Sequence, residues 1–205
     1  TVWAIYGFQV GELKGYTVPG QAYLDGILFL RRTIENGKPA FLLGSYSETG
    51  WWYYFPVALA VKTPIPTILI TAAGLVYSLR RSGLRQALPL LIPAALYLCL
   101  CIATPWNIGY RHLIPALPFL FILAGRLGQL TWRSRAGIVG GLLFSWLIIG
   151  TLLIFPHYSA YFNELVGGPS NGYRVLADSN IDWGQDLPGL HEYMTDHKIE
   201  CVKHG

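Results

Sequence analysis

Apolar residues crowd the middle of this chain, and polar ones gather at its two ends. Four runs in the middle stay apolar long enough to predict helices: Ile65–Leu79, Ala87–Thr104, Leu113–Gly125 and Ala136–Phe155. The first is short, about 23 Å at 1.5 Å per residue, and Pro56–Lys62 before it would lengthen it as a kinked helix or lie along an interface. The second is uncharged, with Pro89 and Pro93 near its start. The third needs Tyr110–His112 or Arg126–Leu130 to reach a full crossing. The fourth is the cleanest, and Gly137 and Gly141 within it permit close helix packing. Thr63 and Pro64 form a helix start, with Thr as cap and Pro in the first turn.

The ends follow another pattern. Thr1–Val10 alternates loosely, which predicts a strand. Gln21–Asn36 places Tyr23, Ile27, Leu30 and Ile34 at helical spacing. Val18-Pro19-Gly20 and Asn36-Gly37-Lys38-Pro39 read as turns. Trp51-Trp52-Tyr53-Tyr54-Phe55 is five aromatic residues in succession, which suits the headgroup level of a bilayer. The pattern divides the chain into an extramembrane segment 1–50, an interfacial segment 51–63, a four-helix region 64–156 and a second extramembrane segment 157–205. The predicted class is mainly α, a polytopic helical membrane protein with about four spans and small mixed α/β segments outside them.

Charge sharpens this reading. Only 13% of the 205 residues are charged, against about 25% in ordinary soluble domains. All 11 acidic residues lie in 1–50 or 157–205, and none lies between Thr49 and Asn163. That carboxylate-free stretch holds Lys62, Arg80, Arg81, Arg85, Arg111, Arg126, Arg133 and Arg135. Arginines in the short loops after the first and third runs place those loops on the cytoplasmic side. Segments 1–50 and 157–205 and the loop Pro105–Arg111 then share the outer side, in a multi-pass protein of the cell's plasma (inner) membrane. No basic-aromatic stripe of the nucleic-acid-binding kind is present. The three cysteines, Cys99, Cys101 and Cys201, form no metal spacing or disulfide framework. The chain opens on Thr1 and stops in mid-pattern at Gly205, so it reads as a piece of a longer protein.

The outer side collects the candidate chemistry. Arg111 is the only charge in its loop and sits at a membrane boundary, where it can grip a phosphate bidentately or merely snorkel. His112 beside it can donate to a phosphate, move a proton or pack. Lys62 can meet a lipid phosphate or snorkel. Asp178-Ser179-Asn180-Ile181-Asp182-Trp183-Gly184-Gln185-Asp186 mixes planar polar groups with an indole, which suits carbohydrate. It can also hold a divalent cation through oxygen ligands, or be a capped turn. A calcium loop is disfavoured, because Gln185 stands where its sixth-position glycine belongs.

Tyr16-Thr17-Val18-Pro19 through Leu42-Leu43-Gly44, Gly50 through Pro56, Lys62-Thr63-Pro64, Gly109 through Pro115 and Asp178 through Asp186 together resemble the later half of bacterial family 39 glycosyltransferases. These are relatives of protein O-mannosyltransferases and of the aminoarabinose transferase of lipid A. The resemblance implies a GT-C fold. It implies transfer of a sugar from a polyprenyl-phosphate carrier to a protein, lipid or glycan acceptor on the outer face, with inversion. The family's catalytic acid lies in an upstream outer loop, so no catalytic base is expected in this stretch, and the piece alone is expected to be inactive. Arg111 matches the arginine thought to meet the carrier phosphate; Tyr110, His112 and Lys62 join it as donor-phosphate candidates. Asp178, Asn180, Asp182, Trp183, Gln185 and Asp186 are sugar- or acceptor-side candidates. No metal ligand set or cofactor is predicted, though a divalent cation is compatible. Two other readings stand beside this one: a transporter or flippase, and a non-catalytic sugar-binding membrane subunit.

Overall fold

The computed structural model describes residues 2–5, 7–13, 16–35, 39–130 and 133–199. It is mainly helical, with two small two-stranded sheets. The N-terminal part holds a helical turn α1 (Val2–Ile5), strands β1 (Val10–Leu13) and β2 (Tyr16–Pro19), and helix α2 (Gln21–Glu35). The strand predicted over Thr1–Val10 is therefore corrected. Its first part turns as a helix, with Phe8 N bonded back to Trp3 O at 3.0 Å, and the antiparallel pairing begins at Val10. The helix predicted from Gln21 is present. The turn at 36–38 and Cys201 lie outside the described residues.

Strands β3 (Ala40–Leu42) and β4 (Ser45–Ser47) form a tight hairpin. Helix α3 (Tyr54–Lys62) then meets α4 (Ile65–Ser82) at a bend of 108°. Pro64 marks the break: it holds Thr63 in extended backbone (φ −86, ψ 131) and is itself extended (φ −55, ψ 135), while Pro66 sits in the first turn of α4, where its missing N–H costs no helix bond. The Pro56–Lys62 stretch is thus helical and joined to α4 by a sharp bend, a geometry that fits either a broken span or a re-entrant segment. Helix α5 (Leu84–Ala103) starts earlier than the sequence predicts, so Pro89 and Pro93 are interior. Each lacks the N–H that would bond the carbonyl four residues back, at Arg85 and Pro89. Helix α6 (Leu117–Gly125) is extended at both ends by 3₁₀ turns, Tyr110–Ala116 and Arg126–Gln129. The third apolar run thus recruits both flanks that the length argument offered it. Helix α7 (Arg135–Leu153) is capped by Ser134, whose Oγ accepts from Gly137 N at 3.1 Å. The tail has short turns, the four-residue α8 (Pro169–Gly172) and α9 (Leu187–Asp196).

Among the described residues, three helical stretches are long and apolar enough to cross a membrane: Leu84–Ala103, Tyr110–Gln129 and Arg135–Leu153. A fourth arises if the bent α3–α4 pair is one span. Helix α4 packs on α5, α6 and α7, and α5 on α6. The α4–α6 contact is close because position 74 is glycine. A Cβ there would lie 2.6 Å from both Ala124 Cα and Leu123 O, so any larger residue would push the helices apart. No residue of α7 is buried; Ile138, Leu142, Phe144, Ile149, Leu152 and Leu153 are all exposed. A helix apolar on every side requires a non-aqueous surrounding or further protein.

The two ends of the bundle differ. One gathers arginines: Arg126 Nη2 donates to Gln86 O at 3.4 Å, tying the 3₁₀ turn after α6 to the first turn of α5. The other is a cap built from segments far apart in sequence. Ala40, Leu42, Tyr54, Phe55, Ala58, Val61, Leu113, Phe162, Val175 and Leu176 form its apolar core. Leu43 N donates to Val175 O at 2.9 Å, so the β3–β4 hairpin is bonded to the tail.

Candidate functional site

Two buried asparagines and a lysine hold the cap together. Asn180 is 3% exposed. Its Oδ1 accepts from Tyr110 N at 3.0 Å, and its Nδ2 donates to Tyr54 Oη at 2.8 Å and Ala177 O at 3.2 Å. Asn163 is fully buried and donates from Nδ2 to Ala60 O at 2.6 Å and Thr63 O at 2.8 Å. It thereby takes up carbonyls at the end of α3, where the helix leaves them without partners. Lys62 donates from Nζ to Ser159 O at 2.6 Å and Asn180 O at 2.5 Å, and its ammonium stands 4.3 Å from the centre of the Phe162 ring. Burial pushes its pKa down to about 8. Burial likewise raises the Tyr54 hydroxyl, partly offset by its bond to Asn180. This network ties the tail to α3 and to the start of the third apolar helix.

The loop 105–111 is fixed by the same residues. Ser179 Oγ donates to Ile108 O, and Tyr110 Oη shares a bond of 2.9 Å with Thr63 Oγ1. Gly109 sits at φ 131, a backbone region that favours glycine, and a Cβ there would lie 3.0 Å from Ser179 Oγ. The loop, pinned on both sides, leaves Arg111 at the surface. Its guanidinium lies over the Trp183 ring, 3.6 Å from the centre, and Nε donates to His112 Nε2 at 3.4 Å. Trp183 is itself held by a bond from Nε1 to Ser179 O at 2.5 Å and is 58% exposed. Among the described residues no carboxylate pairs with Arg111. A guanidinium over an indole face still has N–H groups to offer a further acceptor.

The remaining candidates are spoken for locally. Asp182 Oδ1 accepts from Trp183 N at 2.8 Å and Asp186 N at 3.4 Å, the bonding of a capped turn. Gln185 Oε1 also accepts from Trp183 N at 2.7 Å, while its Nε2 donates to Ser159 Oγ. Asp186 Oδ1 pairs with His157 Nδ1 at 3.0 Å. Asp178 adopts a positive φ of 57. The structure thus brings Arg111, His112, Tyr110, Asn180 and Trp183 to one face. It places Lys62 beneath them with two backbone carbonyls on its ammonium. Among the described residues, no three His, Cys, Asp or Glu side chains are grouped to hold a metal ion.

Sequence reasoning passed over Asn163, and it assigned no contact to Asn107, although it marked the outer loop that holds it. Asn107 is 4% exposed, and its Oδ1 accepts from Trp51 N at 2.5 Å. The signal for Asn163 was a lone amide just where the carboxylate-free stretch ends. A cleft of about 150 Å³ lies between the starts of α4 and the end of α7, lined by Pro66, Trp146, Gly150, Ile154, Tyr161 and Glu164 among others. None of the residues chosen from the sequence lines it. Trp146 Nε1 donates there to Glu164 Oε1 at 3.2 Å. Comparison with protein-family models, with curated proteins and with solved structures found no match.

Proposed function

We propose that this chain is a membrane-embedded helical protein whose cap end faces the extracytoplasmic side. The apolar exposure of α7 and the arginine clustering at the opposite end support that placement. More particularly, we propose the carrier-side half of a glycosyltransferase that takes a sugar from a polyprenyl phosphate and passes it to an acceptor. The observation that carries this reading is Arg111, exposed, unpaired by any described carboxylate and stacked on Trp183 where the third apolar helix begins. A lipid phosphate is an acidic leaving group, so it needs charge stabilisation more than protonation. A fixed guanidinium supplies that without rearranging during the reaction. The indole offers an apolar face to the neighbouring sugar. The acceptor hydroxyl needs a carboxylate base, which this reading assigns to the upstream part of the polypeptide. A transporter reading would favour ionisable groups deep in the helices. Helix α5 beyond its first turn and α7 beyond its first residue carry no Asp, Glu, Lys, Arg or His.

Trp183→Ala tests the arrangement. It removes the platform that orients Arg111 but leaves the charge. Affinity for a polyprenyl-phosphate sugar, measured by titration in detergent, is expected to fall about tenfold, the worth of one charge-assisted bond whose donor is no longer held. Unchanged affinity would separate Trp183 from the site.

A further inference from the structure

Glu164 is the acid that directly follows the carboxylate-free stretch, and the phosphate reading leaves it unused. Its carboxylate is held against an apolar helix. Oε1 accepts from Trp146 Nε1 at 3.2 Å. Trp146 lies about two turns, roughly 10 Å, before the end of α7 at Leu153. Around that level Ile148, Ile149, Leu152 and Leu153 are exposed, so bilayer or further protein must cover this part of the helix. Among the described residues no Lys, Arg or His pairs with Glu164. A carboxylate at such a depth is costly without a cation, and groups of this kind mark functional sites in membranes. The cleft beside it, between the start of α4 and the end of α7, has a volume of about 150 Å³. Leu147, Gly150 and Ile154 are among its apolar lining, and Tyr161 and Glu164 among its polar groups. A cavity of this size takes on the order of six carbons, a length of acyl chain rather than a whole ligand. Burial and the Glu164 charge push the Tyr161 hydroxyl up to about 12, so it stays protonated and able to donate.

We infer that the cleft between α4 and α7 binds a bilayer phospholipid bearing a primary ammonium, with part of an acyl chain in the cleft and the headgroup on Glu164. This rests on the membrane-embedded reading of the chain and not on Arg111, which does not line the cleft. Charge complementarity selects the headgroup. An apolar chain alone leaves the carboxylate without a cation, and an anionic headgroup is repelled by it. A primary ammonium brings both the charge and three N–H donors. A quaternary ammonium brings the charge without a donor, so its contact with the carboxylate is weaker. The Trp146 N–H fixes one carboxylate oxygen, and the Tyr161 hydroxyl can donate to the lipid's phosphate. Indole and phenol groups belong at the headgroup level of a bilayer, where such a lipid would present these groups.

Lipid retention by the protein in mild detergent tests this. Three probes with the same acyl chains are offered in equal amounts: phosphatidylethanolamine, phosphatidylcholine and diacylglycerol. Bound lipid is read by native mass spectrometry. The parent is expected to hold the ethanolamine lipid about tenfold better than either of the others, the low end for a hydrogen bond to a charged group. Glu164→Gln keeps an acceptor for the indole and removes the charge, so it should abolish that preference. Glu192→Gln on the exposed α9 should keep it. Gly150→Leu should remove most of the retained ethanolamine lipid by filling the cleft. A Cβ at position 150 meets nothing within 4 Å, so this change leaves the helix packing alone. If Glu164→Gln does not fold, Gly150→Leu still decides. Equal retention of the three lipids by the parent, a preference that survives in Glu164→Gln, or parental retention in Gly150→Leu overturns the inference while leaving the membrane placement intact. Recovery of the protein in the aqueous phase of a detergent phase partition overturns the placement itself, and this inference with it.

Discussion

Alanine at position 111 is expected to reduce sugar transfer by roughly 10³-fold in a polypeptide that also carries the proposed catalytic base, while the cap stays folded. The size follows from what one positioned donor or arginine contributes to a developing anion. The second half of the expectation follows from the structure. Arg111 is exposed, and its contacts are the Trp183 ring and one long bond to His112. An exposed stack of this kind contributes about 0.5–1 kcal/mol, too little to unfold the cap. Arg111→Lys should fall between the two, because an ammonium keeps the charge but not the planar fork. Arg81→Ala, at the opposite end of the bundle, should leave transfer unchanged. The assay is single-turnover transfer from a radiolabelled polyprenyl-phosphate sugar. Near-normal turnover in Arg111→Ala would remove the residue from the mechanism.

Asn180→Ala is expected to cause the largest loss of stability, roughly 3–5 kcal/mol. The side chain serves three segments at once. Its removal leaves the Tyr110 N–H, the Tyr54 hydroxyl and the Ala177 carbonyl without their partner in a site from which water is excluded. Tyr110 opens the helical stretch that carries Arg111, so the loss reaches the site as well as the cap. Cys101 reports the event: it is buried in the cap core, whereas Cys99 is exposed. In a background with Cys99 and Cys201 replaced by serine, maleimide labelling of Cys101 should become markedly faster in Asn180→Ala. Thr195→Ala on the exposed α9 should change the labelling rate by an amount equivalent to no more than about 0.5 kcal/mol. Protection of Cys101 equal to the parent's would show that Asn180 does not hold the cap.

The helical core was legible because its signal is local. A run of apolar residues longer than a soluble helix face needs no knowledge of partners, and arginines in short loops mark its ends. The extensions of the third helix were legible too, from length alone. The cap was not. Asn163 reaches carbonyls 100 and 103 residues away, and Lys62 reaches Asn180 across 118. A lone lysine at a helix end reads as snorkelling unless one knows that the tail folds over it. The β3–β4 hairpin was missed for another reason. Its two turn residues, Leu43 and Gly44, both have positive φ, and leucine is a poor advertisement for such a turn, where asparagine or glycine is the usual signal. At the site, Arg111 was conspicuous as the only charge in its loop, whereas its stacking on Trp183 joins positions that only the folded tail brings together. The acidic residues of the Asp178–Asp186 run looked like ligands. Asp182 and Asp186 turn out to bond a backbone turn and His157.

The central claim is that the cap end binds a lipid phosphate at Arg111. Binding of polyprenyl phosphate against polyprenol, the same chain without the phosphate, isolates that contact from every apolar one. The parent protein should prefer the phosphate at least about tenfold, as a charge-assisted bidentate contact requires. Arg111→Ala should bind the two lipids alike. A phosphate preference that survives in Arg111→Ala would contradict the account.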